Sequence, residues 1–117
     1  DLRSNGLGDA GVRALAEALQ TPGVILRSLE LAGNHLGNAG CCHLAAMLRV
    51  NSTLTALGLQ RCGIGTEGAT ALADALHHNF VLEELDVGRN SVGGAGAGSL
   101  VRASWASAAL ASLNLQD

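Results

Sequence analysis

The feature that most constrains this chain is that it repeats itself. Leu54-Thr55-Ala56-Leu57-Gly58-Leu59-Gln60-Arg61-Cys62-Gly63-Ile64-Gly65 stands in register with Leu26 to Gly37, 28 residues earlier, and with Leu82 to Gly93, 28 residues later. A fourth copy opens at Leu110 and runs to Asp117, and Leu2, Asn5, Leu7 and Gly8 match Leu31, Asn34, Leu36 and Gly37 at an offset of 29. A unit this short cannot bury its own apolar face and has to stack on its neighbours. The period therefore predicts an α/β solenoid of about four repeats, occupying residues 1–117 as one segment. The repeats start near Leu26, Leu54, Leu82 and Leu110, with partial repeats at both ends.

Inside each unit the hydrophobic period changes from two to helical, which reads as strand, turn, then helix. Leu29 with Leu31, Leu57 with Leu59, Leu85 with Val87, and Leu113 with Leu115 alternate with small or polar residues and predict short strands of a parallel sheet. Each strand leads to a loop holding Asn5, Asn34, Cys62 or Asn90 at one equivalent place. A buried loop leaves backbone donors and acceptors to satisfy, and a side-chain amide supplies both, so these four residues predict a structural ladder. The following segments place Gly11, Val12, Leu15, Ala16 and Leu19 on one helix face, as they do Gly40, Cys41, Leu44, Ala45 and Leu48, and Gly68, Ala69, Leu72, Ala73 and Leu76.

The returns to the next strand differ. Pro22-Gly23 stops the first helix, whereas Asn51 and Asn79 suggest helix ends in the left-handed conformation. The helix that begins with Gly93-Gly94-Ala95-Gly96 is poor in helix formers, and Ser104 replaces the Leu of Leu19, Leu48 and Leu76. It is expected to be the least rigid part of the chain. Trp105 beside it either turns in to fill the gap or stays partly exposed.

Composition narrows the function. The 117 residues carry a net charge of −3, and all seven basic residues are Arg, without a basic cluster, which argues against nucleic acid and against an acidic membrane surface as partners. No apolar run approaches the ~20 residues that a membrane span needs. Three cysteines, Cys41, Cys42 and Cys62, without framework spacing read as reduced thiols of an intracellular, cytoplasmic protein. His77 and His78 point apart on a helix, and His35 and His43 lack ligand-spaced partners, so no metal is expected. No Ser-His-Asp or Cys-His set falls together in the register, and no Lys follows the glycines from Gly93 to Gly98, so neither an enzyme nor a cofactor site is expected.

The pattern Leu-x-x-Leu-x-Leu-x-x-Asn/Cys-x-Leu/Ile/Val-Gly-x-x-Gly-x-x-x-Leu-Ala-x-x-Leu-x-x-Asn resembles leucine-rich repeats of the ribonuclease-inhibitor type. The resemblance covers essentially the whole chain and implies a horseshoe segment with a concave parallel sheet inside and helices outside. It also implies that protein partners are held on the concave face. Reading that face from the register gives Glu30, Gly58, Asp86 and Asn114 in one row and Ser28, Ala56, Glu84 and Ser112 in another. Toward the loops come Arg3, Ala32, Gln60, Gly88 and Gln116, then Ser4, Gly33, Arg61, Arg89 and Asp117.

The candidate protein-binding residues are Glu30, Gln60, Arg61, Glu84, Asp86, Arg89 and Asn114. Arg61 and Arg89 are expected to be solvated or paired with Glu84 and Asp86, and the lack of aromatic anchors argues against a very tight complex. The expected function is a non-enzymatic protein-interaction or scaffold module of a longer protein or assembly, its open ends covered by further repeats or a partner chain. The resemblance carries two alternatives. One is activation of a GTPase in the manner of the Ran activator, with Arg61 or Arg89 as the acting arginine. The other is the ligand-sensing repeat region of an intracellular immune receptor.

Overall fold

The computed structural model describes residues 1–116. Helix and strand alternate: α1 (Asp9–Leu19), β1 (Ser28–Glu30), α2 (Gly37–Val50), β2 (Ala56–Gly58), α3 (Thr66–Leu76), β3 (Glu84–Asp86), α4 (Gly93–Ala106) and β4 (Ser112–Asn114). The strands form one parallel sheet in the order β1-β2-β3-β4, with Leu29, Leu57, Leu85 and Leu113 in register. Each strand is only three residues long, and the backbone continues the pairing beyond it. Leu31 N donates to Gly58 O and Leu59 N to Asp86 O, at 2.9 and 2.7 Å. The first residues extend the same sheet, as Leu2 N donates to Glu30 O and Ser4 N to Ala32 O, both at 2.9 Å.

The helices form the other layer, each packed on the next from α1 to α4. This two-layer solenoid is what short alternating runs followed by a helical stripe must build, because neither layer covers itself. Leu29, Leu57 and Leu85 from the sheet belong to one buried core with Leu44, Leu72 and Leu100 from α2, α3 and α4. Burial of each such side chain stabilises the fold by about 1.5–3 kcal/mol. Leu110, Leu113 and Leu115 of the last copy, and Leu2 and Leu7 of the first, are only partly buried.

Small residues set the layer spacing. A Cβ on Gly68 would come within 2.8 Å of Asn38 Oδ1 and 3.0 Å of Ile64 Cγ2, so α3 approaches α2 as closely as it does only because that atom is missing. Asn38 uses the proximity: its Oδ1 accepts from Gly65 N at 2.8 Å and Gly68 N at 3.0 Å, capping α3 from the preceding repeat.

The loops after the strands are held by amides. Buried Asn34 donates from Nδ2 to Leu2 O and Leu31 O, and its Oδ1 accepts from Asn5 N and Leu7 N. Asn90 donates to Leu59 O and Val87 O and accepts from Cys62 N and Ile64 N. At Cys62 the thiol lies 3.3 Å from Leu31 O, and Asn5 is exposed, its amide reaching only Arg3 O.

Two expectations need revision or resolution. Asn51 is not left-handed: with φ −77° and ψ 134° it is extended, and Asn79 is also absent from the positive-φ residues. Their side chains do the work instead. Asn79 donates to Leu48 O at 2.8 Å and accepts from Val81 N and Leu82 N, and Asn51 accepts from Thr53 N and Leu54 N while donating to Leu19 O. A second amide ladder thus runs along the opposite edge. Of the two readings of Trp105, the exposed one holds: the indole is 81% accessible, and Ser104 turns its hydroxyl back to Val101 O at 2.7 Å. Despite its glycines, α4 runs for 14 residues, the same length as α2.

Candidate functional site

Along a strand, alternate side chains point to opposite faces, so the buried leucines fix which residues face away from the helices. The pairing register sets Ser28, Ala56, Glu84 and Ser112 side by side on this open face, with Glu30, Gly58, Asp86 and Asn114 in the next row. Both rows line a shallow trough of about 330 Å³, into which Gln60 also reaches.

The trough is built around an absence in the sequence. Gly58 occupies the middle strand without a side chain, and the half-buried Glu30 carboxylate lies over the space where a Cβ would stand. Glu30 Oε1 is buried with no hydrogen-bond donor among the described residues, and the same holds for Gln60 Oε1. The other half of the Gln60 amide is engaged: Nε2 donates to Asp86 Oδ2 at 2.5 Å, and Asp86 Oδ1 accepts from Gly88 N at 2.9 Å. Both Asp86 oxygens are therefore occupied, whereas Glu84 stands exposed. Asn114 Oδ1 accepts from Gln116 N at 2.9 Å, which fixes its orientation at the end of the row.

Toward the loops the sign of the face reverses. Arg61 and Arg89 are exposed and line a second groove of about 420 Å³ together with Gln60, Asp86 and Asn114. Among the described residues the ion pairs are Arg3 with Asp1 and Arg13 with Glu17, both exposed, so Arg61 and Arg89 take the solvated alternative rather than pairing with Glu84 or Asp86. Asp117, expected in line with these arginines, lies outside the described residues.

Arg61 and Arg89 have φ of +54° and +57°, matched at equivalent places by Ser4 at +52° and Gly33 at +77°. The backbone is left-handed at all four of these equivalent places, and Gly33 supplies that conformation freely. An arginine does so at roughly 1 kcal/mol or more.

The cysteines are structural. Cys41, Cys42 and Cys62 are free thiols, and Cys41 and Cys62 are fully buried. Burial pushes the Cys62 thiol up to about 11, partly offset by the backbone hydrogen bonds of Asn34 and Gly33, with the Glu30 charge adding to the rise. Burial raises Cys41 further, with Cys42 and Cys62 contributing. Cys41 and Cys62 are therefore inert, since reactivity needs the thiolate. Among the described residues no three of His, Cys, Asp and Glu gather as a metal site would require, and no helix is long and apolar enough to cross a membrane.

The large exposed apolar side chains avoid the open face. Val24 and Ile25 lie in the link from α1 to β1, Val50 ends α2, Phe80 lies between α3 and β3, and Trp105 is next to last in α4. All sit on the edge where the helices return to the strands.

Sequence reasoning could list the open-face residues from the register alone. It did not find the Glu30 carboxylate leaning over Gly58, nor the role of Asn38. The one available signal was a glycine between Glu30 and Asp86 in a row of otherwise polar residues.

Comparison with known proteins gives a consistent picture. A model of the leucine-rich repeat family matches residues 1–16, 25–44, 50–73 and 78–101. The ribonuclease inhibitor of Sus scrofa is 45% identical over 58 residues, 50% of this chain and 13% of the inhibitor. NACHT, LRR and PYD domains-containing protein 3 of Homo sapiens is 41% identical over 59 residues, 50% of this chain and 6% of that protein. This chain therefore spans a small fraction of the curated relatives it matches. Among solved structures, Leiomodin-1 Actin-Binding Site 2 superposes with a TM-score of 0.88 at 22% identity, covering 100% of this chain and 69% of that one, a likeness of fold.

Proposed function

Since this chain belongs to the leucine-rich repeat family, in the form found in ribonuclease inhibitors, we propose that it is a non-enzymatic protein-interaction module whose open sheet face receives the partner. It acts inside the cell, as one continuous segment of a longer repeat array whose neighbouring repeats cover Leu2 and Leu110 to Leu115. The observation that carries the reading is the open face itself. It is a continuous surface with carboxylates in its two strand rows and arginines along its loop edge, the two meeting at Asp86, with two buried acceptors left unmatched. Charge laid out in this way gives a partner both orientation and specificity. Three cysteines without a framework spacing support an intracellular setting.

The test is site-directed photo-crosslinking in cells. A photoreactive residue at Ser28, on the open face, is expected to give a discrete protein adduct that Glu84→Arg abolishes, whereas the same residue at Thr70, on the outer side of α3, gives none. Adducts from Thr70 alone, or adducts from Ser28 that ignore Glu84→Arg, would overturn the reading.

A second reading is favoured by the match to NACHT, LRR and PYD domains-containing proteins, in which this chain would be part of a receptor's ligand-sensing repeats. It requires a nucleotide-binding domain before Asp1 in the full-length protein, and sequencing the complete transcript decides it.

A further inference from the structure

This inference rests on the open face being the partner-binding surface, and it concerns what chemistry that surface accepts. We propose that the trough over Gly58 is the seat of a single arginine side chain of a protein partner, its guanidinium donating to the Glu30 carboxylate and to Gln60 Oε1.

Glu30 and Gln60 both line the trough, and Oε1 of each is closed to solvent with no donor among the described residues, so an incoming donor meets them as the two half-buried side chains turn outward. An acceptor buried without a partner is costly, and a carboxylate in that position especially so. The group that relieves both must bring several donors, carry positive charge and fit over a sheet face with no side chain at its centre. Gly58 supplies no side chain of its own, so the Glu30 carboxylate lies across the middle strand and forms the floor on which the guanidinium rests. Glu84, exposed on the same face, adds a further negative charge at the mouth.

Arginine meets these requirements better than lysine. Its guanidinium is flat, delivers five N–H donors in a fixed fork and is less strongly hydrated, so it can serve a carboxylate and an amide oxygen together. An ammonium is a point charge that must shed a tighter water shell to enter the same trough.

The loop side of the face limits what can flank that arginine. Arg61 and Arg89 stand along the loop side, exposed and left-handed, at positions where Gly33 shows that the backbone needs no side chain. They repel a second cation and favour a carboxylate. The partner segment therefore presents one arginine with a neutral or acidic neighbour. A polybasic tract, which the acidic trough alone would have welcomed, is rejected at the rim.

The test is an NMR titration of the full chain with the blocked tetrapeptide acetyl-Ala-Arg-Asp-Ala-amide, beside versions carrying citrulline or lysine in place of arginine. Citrulline keeps the shape of the side chain and loses its charge. The expected result is saturable binding in the roughly millimolar range, with shifts at the Gly58 backbone amide and the Gln60 side-chain amide. The citrulline peptide should bind about tenfold more weakly, as the loss of a charge-assisted hydrogen bond implies, and the lysine peptide should fall between the two. Glu30→Gln should reduce the preference for arginine over citrulline to near unity, and Gly58→Ser should weaken the arginine peptide without altering the rest of the spectrum.

Equal binding of arginine and citrulline, shifts away from Gly58, or an unchanged preference in Glu30→Gln would overturn the proposal. Failure here is distinguishable from failure of the broader reading. A Ser28 adduct that forms normally in the Glu30→Gln chain removes the arginine seat and leaves the interaction surface standing. Peptide binding at Gly58 without any Ser28 adduct does the reverse.

Discussion

Asn79 and Leu48 belong to consecutive repeats and are joined by a 2.8 Å hydrogen bond from the Asn79 side-chain amide to the Leu48 carbonyl at the end of α2. The same side chain accepts from Val81 N and Leu82 N and is almost wholly buried. Asn79→Ala would remove this partner from two carbonyls, Leu48 O and Asn51 O, and from two amides in a dry place. The expected loss is about 2–4 kcal/mol, above the usual range for a single neutral hydrogen bond because several groups are orphaned together. Urea unfolding of the variant checks it, with Asn5→Ala as the control: Asn5 is exposed and its side chain bonds only Arg3 O, so its replacement should change stability by less than about 0.5 kcal/mol.

Replacing Gly by Ala has opposite consequences at two helical positions. At Gly94 a Cβ meets nothing within 4 Å, so Gly94→Ala should raise stability by about 0.5–1 kcal/mol through helix propensity. At Gly68 the new atom would meet Asn38 Oδ1 and Ile64 Cγ2, displacing the cap on α3, and the expected effect is a loss of about 1–3 kcal/mol. Hydrogen exchange adds a second readout. The amides of α4 should exchange faster than those of α3, and Gly94→Ala should narrow the difference.

Alkaline pH should destabilise the fold through its thiols. A thiol is neutral while protonated, and burial raises Cys62 from 9.0 to about 11 and Cys41 further still, so the folded chain holds these protons more tightly than the unfolded one. Their contribution is therefore complete below about pH 9 and is lost progressively as the pH rises toward 11 and beyond. The slope approaches about 1.4 kcal/mol per pH unit for each thiol. The chain has no Lys and no Tyr, so no other abundant side chain titrates in that window. Denaturant unfolding at pH 8 and pH 10.5 should show the fall, and it should be roughly halved in Cys62→Ala; a flat profile would contradict it.

The arginines of the rim carry a local cost. Arg61→Gly and Arg89→Gly each relieve a positive φ, and each should leave the chain as stable as before or more stable by up to about 1 kcal/mol, measured by thermal unfolding. The arginine-aspartate peptide should bind these variants more weakly. A marked loss of stability would mean that the side chains support the fold rather than the surface.

Sheet register, helix faces and the loop amides were legible because each follows from a period. Leu57 predicts the place of Leu85, and Asn34 that of Asn90. What escaped were contacts that depend on a rotamer or on a neighbouring repeat. Asn51 and Asn79 sit where a left-handed residue would end a helix, and only the three-dimensional arrangement reveals that their amides reach back to Leu19 and Leu48. Trp105 was undecidable for a similar reason, since one residue of helical rotation separates the core from solvent. On the open face the register supplied the names of Glu30, Gln60 and Asp86, yet their linkage through one amide and over one missing Cβ depends on side-chain direction.

The strict 28-residue pairing of Ser28 with Ala56, Ala56 with Glu84 and Glu84 with Ser112 also bears on how such a chain can change over generations. Duplication or loss of a whole unit keeps every leucine facing inward, whereas slippage by one residue within a strand would turn its buried side outward. The register therefore acts as a reading frame for recombination. It tolerates whole-unit exchange and confines stray insertions to exposed returns such as Thr21-Pro22-Gly23, where the first unit carries its extra residue. A lineage can thus lengthen or shorten the array, and move the Gly58 trough relative to its ends, without redesigning any single layer.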